Sequence, residues 1–453
     1  MSNKITISSK KILLFIIDLF ITFLGYLGRL HYVIKKFSRS HVAVPSIPSV
    51  PSAATLFVIK MDALGDYIIF RNFLEEIKNT REWNEYNIVL IGNTLWKDLT
   101  LSFDQNFLED TFFLSPQDFY FKLIYRIKLS WKLLKFSNIY ANNKTNSKIN
   151  NKNFILCPTY SRKFFIDDSL TRIIWAAHGN NSKVQRVVHK GDTSNIKKWQ
   201  QYWSSLSLYS KSIASFPIEE TIFEFYRYRR FFSKILERDI TLNRPFLLER
   251  MKPAPIAEPV TAPVIFLVPG AGVPERRWPT KSFAELVLLF HEKGLQKNTK
   301  YEFVIIGTDN EKNLGKEIIT HLEIYSQQPH ELQNEFQDEP QNKDINESQK
   351  KDKISIENLC GKLSLDQLAY QMINACLVIT NETGTAHLAQ ALGIPIICLA
   401  TYHHYLRFHP YPNALSRHYR HSRHSHYSRY WYPEIGQGIE HIPAALIFQN
   451  API

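Results

Sequence analysis

Short apolar runs at Thr55–Lys60, Asn87–Ile91, Asp110–Leu114 and Phe154–Cys157 alternate with stretches of helical period such as Ile68–Lys78 and Tyr120–Phe136. Runs that are apolar on consecutive residues suit strands covered on both faces, which is the condition of a parallel sheet with intervening helices. The alternation stops at 251–263, where Pro253, Pro255, Pro259 and Pro263 allow neither period, and then restarts. A strand is predicted over Val264–Val268, a helix from Ser282 to Lys293, a strand over Glu302–Gly307 and a helix from Asn310 to about Glu323. Ser364-Leu365-Asp366-Gln367 has capping-box form and should start a helix running to Ala375. The predicted fold is α/β: two Rossmann-like, doubly wound lobes over 55–250 and 264–453, joined by a hinge at 251–263, with a ligand cleft between them.

Three stretches depart from this pattern. Residues 135–153, rich in Asn and Lys, read as a surface loop, and 327–353, almost without apolar residues, as a disordered insertion in the second lobe. Pro45, Pro48 and Pro51 make 42–54 an extended spacer. Before it, in segment 1–41, the apolar stretch 12–30 is flanked by Lys4, Lys10, Lys11, Arg29, Lys35, Lys36 and Arg39 against one acid, Asp18.

That charge distribution changes the meaning of the net +13. A basic chain invites a polyanion, and basic residues around an apolar helix favour an anionic membrane surface over nucleic acid, which is not expected as a partner. Asp18 would be costly at a bilayer centre, and no small-residue cleavage site follows. The expectation is an interfacial helix that contacts the membrane through residues 10–39, outside the catalytic body, on the cytoplasmic side of the inner membrane. A helix packed on that body is the alternative. Cys157, Cys360, Cys376 and Cys398 show no paired metal spacing and read as reduced, largely buried thiols.

Three segments could carry chemistry. Residues 381–395, Asn-Glu-Thr-Gly-Thr-Ala-His-Leu-Ala-Gln-Ala-Leu-Gly-Ile-Pro, place a polar turn between an apolar run and a helix, aiming a helix N-terminus at an anion. Residues 58–66, Val-Ile-Lys-Met-Asp-Ala-Leu-Gly-Asp, repeat the strand–turn–helix plan with Asp66 at the turn. Residues 269–279, Pro-Gly-Ala-Gly-Val-Pro-Glu-Arg-Arg-Trp-Pro, follow a strand with a basic loop. In this order the three resemble glycosyltransferase family 9, the bacterial lipopolysaccharide heptosyltransferases, over roughly Thr55 to Thr401.

The resemblance implies a two-lobed glycosyltransferase of the GT-B type. Asp66 would be the catalytic base, after the tight turn at Gly65; by position alone it could equally cap its helix. Arg276, rather than Arg277, would contact the donor phosphates, in a loop shaped by Gly270. Thr383 and Gly384 would offer a hydroxyl and backbone N–H groups to the diphosphate. His387, one turn on, would add a hydrogen bond or a charge, unless it is a core histidine. Glu382 stands where the family usually has Asp, so its donor role is open. Asp309 or Glu311 would meet the nucleotide ribose. No Asp-x-Asp motif ends a strand, so transfer is expected to need neither metal nor other cofactor. Segment 402–432, with seven histidines, five arginines and no acid, reads as a loop over the site or a contact for an acidic acceptor.

The resulting expectation is inverting transfer of a sugar from a nucleotide donor, ADP-heptose by resemblance, to a lipopolysaccharide-core or other lipid-linked glycan. A nucleotide-sugar epimerase of the same fold and a non-catalytic glycan or polyanion binder are the alternatives.

Overall fold

The computed structural model describes residues 11–23, 53–141, 153–178, 184–189, 200, 211–213, 222–248, 251, 262–327, 353–412 and 428–451. The chain divides into two compact units, Met1–Leu242 and Asn243–Ile453. Residues 328–352 of the expected insertion and most of the spacer and hinge lie outside the described residues, as do 142–152 of the expected loop and 413–427 of the histidine-rich segment.

The first unit holds β1 (Thr55–Lys60), β2 (Asn87–Asn93), β3 (Asp110–Leu114), β4 (Phe154–Cys157), β5 (Gln185–His189) and β6 (Lys211–Ile213) in the order β3-β2-β1-β4-β5-β6. Every pairing is parallel. The second unit repeats this with β7 (Val264–Val268), β8 (Glu302–Ile305), β9 (Ser355–Asn358), β10 (Ala375–Asn381), β11 (Ile396–Leu399) and β12 (Ser428–Trp431), in the order β12-β11-β10-β7-β8-β9 and again parallel. Each sheet therefore reverses its winding next to its own first strand, between β1 and β4 and between β7 and β10. Open α/β sheets bind ligands beyond the carboxyl ends of the strands at such a point.

The consecutive apolar residues of the strands are explained by cover on both faces. Phe57 and Ile59 of β1 share a core with Val89, Ile91, Ile155 and Ile173. An aromatic cluster of Phe70, Phe73, Phe225, Tyr228 and Phe232 joins helices Leu64–Phe70, Asn72–Lys78 and Glu224–Leu236. In the second unit, Ile265, Leu267, Phe303, Leu377 and Ile379 pack against Phe283, Leu286, Val287 and Phe290 of helix Thr280–Gln296.

Several helix boundaries differ from the sequence expectation. The helix expected over 68–78 is two helices that meet at Arg71, whose guanidinium is fixed by Asp104 at 2.7 Å. The helix expected over 120–136 is Pro116–Phe121 followed by Leu123–Ala141, so 135–141 is helical and not loop. Residues 309–311 form a separate 3-10 turn before helix Lys312–Gln327. The capping box at Ser364 is present, with Ser364 N donating to Gln367 Oε1 at 3.0 Å, although its helix ends at Met372.

The N-terminal expectation needs correction. No helix among the described residues is long and apolar enough to cross a membrane. The helix over 11–23 is no separate anchor, because Ile21 belongs to the first unit's core and Leu14 packs on Phe164 and Phe165. Asp18, the residue that argued against a span, is buried and accepts from Arg126 Nη2 at 2.6 Å and Nε at 3.1 Å. Ser169 also donates to it, and Arg172 Nη1 lies 3.4 Å away. The remaining guanidinium donor, Arg126 Nη1, binds the carbonyls of Phe119 and Phe165. The packed alternative is the one the structure adopts.

A buried ion pair adds little net stability over an apolar pair, but removal of one partner strands the other charge. Asp18→Ala should therefore lower the unfolding free energy of the first unit by about 3–5 kcal/mol in urea titrations. Asp18→Leu combined with Arg126→Met should recover part of that loss. If Asp18→Ala unfolds at the wild-type midpoint, the pair does not hold the helix in place.

Candidate active site

In the first unit, β1 ends at Lys60 and the chain turns through Met61–Ala63 into helix Leu64–Phe70. Lys60 is fully buried and donates to Asp62 and Tyr228. Burial works against its charge, but the combined attraction of Asp62, Tyr228 and Asp66 wins and holds its pKa well above the ordinary lysine value. Asp62 also accepts from Thr159 Oγ1 at 2.7 Å, beyond the end of the adjacent strand β4. Its backbone carbonyl takes bonds from Asn93 and Trp96, both at 3.1 Å. The turn is thus pinned from three sides.

Asp66 lies in the first turn of the helix and is half-buried, while the N-cap position belongs to Ala63. The glycine before it is buried, as a tight entry into the helix requires. Asp167, in the turn after β4, accepts from Lys163 N at 2.7 Å through one oxygen, while its other oxygen is buried and unbonded among the described residues. Burial and the nearby charge of Asp62 push its pKa up to about 7.

In the second unit, Asn381 at the end of β10 donates to Pro269 O at 2.8 Å and accepts from Trp278 N at 3.1 Å. It therefore ties the loop after β7 to the head of helix Gly384–Leu392. Thr383 is the N-cap of that helix, yet its side chain makes no capping bond, and its hydroxyl lies 3.4 Å from Thr380 Oγ1.

Glu382 sits at the centre of this unit's polar groups. It takes a bond from His404 Nδ1, and Arg276 Nη1 lies at 3.4 Å, His409 Nε2 at 3.2 Å and Thr401 Oγ1 at 3.5 Å. Burial alone would raise its pKa, but the histidine hydrogen bonds prevail and hold the carboxyl well below the usual range. Arg276 keeps a buried Nε without a partner among the described residues. Arg277 instead donates through Nε and Nη2 to Ala271 O at 3.3 and 3.1 Å, which fastens the loop to itself.

His387 is buried and bonded through Nδ1 to Tyr411 Oη at 2.8 Å. Burial drives its pKa down to about 3, so it is a neutral imidazole at pH 7 and offers a hydrogen bond rather than a charge. The two acids after β8 divide. Glu311 closes a capping box on Thr308, whose N and Oγ1 donate to it at 2.7 and 2.9 Å, whereas Asp309 is exposed in the same turn. A Cβ on Gly270 would stand 2.0 Å from Glu311 Oε1, so any larger residue there would have to displace the Glu311 side chain.

The family model for glycosyltransferase family 9 (heptosyltransferase) matches residues 332–429. Lipopolysaccharide heptosyltransferase 2 of Escherichia coli is 29% identical over 139 residues, 30% of each chain. Lipooligosaccharide heptosyltransferase 2 of Haemophilus influenzae is 28% identical over 173 residues, 36% of this chain and 40% of that protein. The sequence match thus spans well under half the length of these relatives. Over residues 332–429 the chain is similar to glycosyltransferase family 9. In fold, it is similar to an E. coli ADP-heptose lipopolysaccharide heptosyltransferase II, with a TM-score of 0.51, 16% identity and coverage of 87% of this chain and 96% of that one. A family 9 glycosyltransferase from Veillonella parvula gives a TM-score of 0.57 at 15% identity, covering 87% and 95%.

The structure brings Arg276, Glu382, Thr383, Gly384 and His387 into one unit, at the carboxyl ends of β7 and β10, and Asp66 at the matching end of β1 in the other. It adds Thr401, and also His404, His409 and Tyr411, whose roles the sequence left open within the histidine-rich segment. Their signal was an acid-free run of histidines and tyrosines downstream of an isolated Glu382, a pattern that names no pairs. Lys60, Asp62, Thr159 and Asp167 were also not singled out, because a strand-end lysine beside an aspartate is common.

Asp167 yields a pH prediction with an unusual sign. Its native pKa lies above the unfolded value of about 3.9, so the folded state binds the extra proton. The contribution is present below about pH 4 and is lost as pH rises through about 7. Asp167→Asn should flatten that decline in melting temperature between pH 5 and 8, and an unaltered slope would assign the decline to other groups.

Proposed function

We propose that the chain is an inverting, metal-independent glycosyltransferase that moves a heptose from ADP-heptose to a lipopolysaccharide-core or other lipid-linked glycan. The observation that carries this reading is Arg276, anchored by Glu382 yet holding a buried, unpartnered Nε beside a helix whose N-cap hydroxyl makes no capping bond. A guanidinium and free helix N–H groups are the donor set that a departing diphosphate needs. The match to the heptosyltransferase family model over 332–429 and the donor named for the E. coli structural neighbour support the choice of ADP-heptose.

In this reading Asp66 takes the proton of the acceptor hydroxyl as its oxygen attacks the anomeric carbon from the side opposite the diphosphate. The bond from that carbon to the phosphate oxygen breaks, ADP leaves with the electron pair, and the configuration inverts. Arg276, with the helix N-terminus at Thr383 and Gly384, stabilises the charge that develops on the leaving oxygens. Neutral His387 contributes a hydrogen bond from its fixed ring, and Asp309 is the better placed of the two acids for the ribose, since Glu311 is engaged in its cap. Glu382 acts on the arginine rather than on the sugar.

The test is release of ADP from ADP-heptose by the purified full-length protein, with and without lipid-linked acceptor. Release that depends on acceptor, with a glycosylated product of inverted configuration, is expected. Conversion of the donor without acceptor would favour an epimerase, and binding without turnover a non-catalytic protein.

Asp66→Asn should slow transfer by about 10²–10⁴-fold, the worth of a positioned general base, while ADP affinity stays within a few fold. Substantial activity in that variant would remove Asp66 from the base role. Arg276→Ala should weaken ADP binding by about 1.5–3 kcal/mol in calorimetry. Arg277→Ala should instead lower the melting temperature, having lost its bonds to Ala271; a larger affinity loss there than at Arg276 would reverse the assignment.

A further inference from the structure

The second unit's polar groups leave a charge balance that a diphosphate does not match. The diphosphate of a nucleotide sugar carries one negative charge on each phosphate. The guanidinium suited to it already faces a carboxylate, since Arg276 Nη1 lies 3.4 Å from Glu382 Oε1. Burial opposes the charge of Glu382, but hydrogen bonds from His404 and His409 hold its carboxyl well below the usual range, so it is ionised at pH 7. Arginine and glutamate together bring no net charge, and the N-terminus of helix Gly384–Leu392 supplies only about half a unit. A dianion at this end of the unit therefore calls for a further cation.

His404 is placed to become that cation. Its Nδ1 binds the same Glu382 oxygen that Arg276 faces, so imidazole and guanidinium are neighbours across one atom. An ionised carboxylate can only accept, which puts a proton on Nδ1 and leaves Nε2 as the nitrogen that gains or loses one near neutrality. Nε2 makes no hydrogen bond among the described residues, and 31% of the side chain is accessible, enough for a ligand to reach it. His409 braces the carboxylate from the other side: it is buried, its Nδ1 bonds Tyr432 Oη at 2.8 Å, and its Nε2 stands 3.2 Å from Glu382 Oε2. Arg276 adds a buried Nε that has no partner among the described residues and is available to a ligand oxygen.

The other groups around this carboxylate do not supply the missing charge. Burial pushes the Cys398 thiol and the Tyr411, Tyr430 and Tyr432 phenols up, so all four stay neutral at pH 7. His387 is neutral too, burial having driven its pKa down to about 3. Arg277 directs Nε and Nη2 to Ala271 O, and Arg407 lies 4.9 Å from the centre of the Phe408 ring. His403 is a further imidazole beside His404, exposed, with ring centres 4.5 Å apart.

On the reading that this unit takes the nucleotide sugar, we propose that His404 is a ligand of the donor's diphosphate and that binding is coupled to uptake of one proton at its Nε2. The proton comes from solvent as the anion arrives and is shared with a phosphate oxygen in a charge-assisted hydrogen bond. Glu382 stays ionised and keeps Nδ1–H in place. The site then holds Arg276 and His404 against Glu382, a net positive charge where the free protein has none. The proton returns to solvent when the diphosphate leaves.

The test is calorimetry of ADP-heptose binding to the full-length protein without acceptor, in two buffers of different ionisation enthalpy at about pH 7.5. A diphosphate esterified at both ends does not itself titrate near neutrality, so protons drawn from the buffer reside on the protein. Wild type should take up about 0.5–1 proton per donor bound, and its affinity should fall about tenfold from about pH 6.5 to about pH 8.5. His404→Gln retains a hydrogen bond to Glu382 but accepts no proton. It should abolish the uptake and bind about tenfold more weakly than wild type at about pH 6.5, approaching wild-type affinity at about pH 8.5. His403→Gln should keep the uptake. Donor binding without proton uptake, or uptake that survives His404→Gln, would overturn the role of His404 while leaving the unit's assignment to the donor intact. Absence of ADP-heptose binding at every pH would overturn both.

Discussion

The carboxamide of Asn381 is the constraint on which the second unit's site depends. It is fully buried at the end of β10, and its two ends hold Pro269 O and Trp278 N, at either side of the loop that carries Arg276. An amide is the group for this task, since it donates and accepts at fixed separation and both bonds are shielded from water. The indole of Trp278 donates in turn to Ile442 O at 2.9 Å, which fixes the loop to the C-terminal part of the unit. With Arg276 on one side of this lock and Glu382 directly after it, the arginine and the helix N-terminus keep a set relation before any ligand arrives. Preorganisation of that kind is what makes fixed donors effective toward developing charge.

The same economy of charge runs through both units. At the end of β1 a buried lysine is held between Asp62 and Tyr228, and at the end of β10 a buried glutamate is held among Arg276, His404 and His409. Each buried ion is compensated, as the cost of desolvation demands. In each case the compensation leaves something over. Among the described residues, the first unit retains Asp167 with an unbonded carboxyl oxygen, and the second retains the Nε of Arg276. Buried polar atoms without partners are uncommon and cluster where a ligand or a proton is exchanged. Glu382 illustrates how little a carboxylate's presence at a site says of contact with substrate: its oxygens face Arg276, His404 and His409 of the protein itself.

Much of the fold was legible in the residues themselves. Strands buried on both faces must be apolar at every position, and helices over them must be apolar at every third or fourth, so the alternation and the restart after the proline-rich stretch identified two α/β units. The glycine turns and the strand-end positions of Asp66, Arg276 and Thr383 followed from the same logic, because parallel sheets send every such loop to one edge. The capping box at Ser364 was legible because all its partners lie within four residues. What remained hidden were pairings between distant segments. Asp18 looked like a flaw in a membrane helix because its partner, Arg126, lies 108 residues later. Glu382 looked like an irregular donor ligand because its histidines stand 22 and 27 residues downstream, within a run of histidines that local pattern cannot sort. The sequence by itself determined the α/β alternation, several of the strands in each unit and the edge of each sheet where ligands belong, all of which follow from local period and burial. Only the tertiary structure decided which charges face one another, since a buried charge takes its meaning from a partner that the fold, and not the chain order, brings within hydrogen-bond reach.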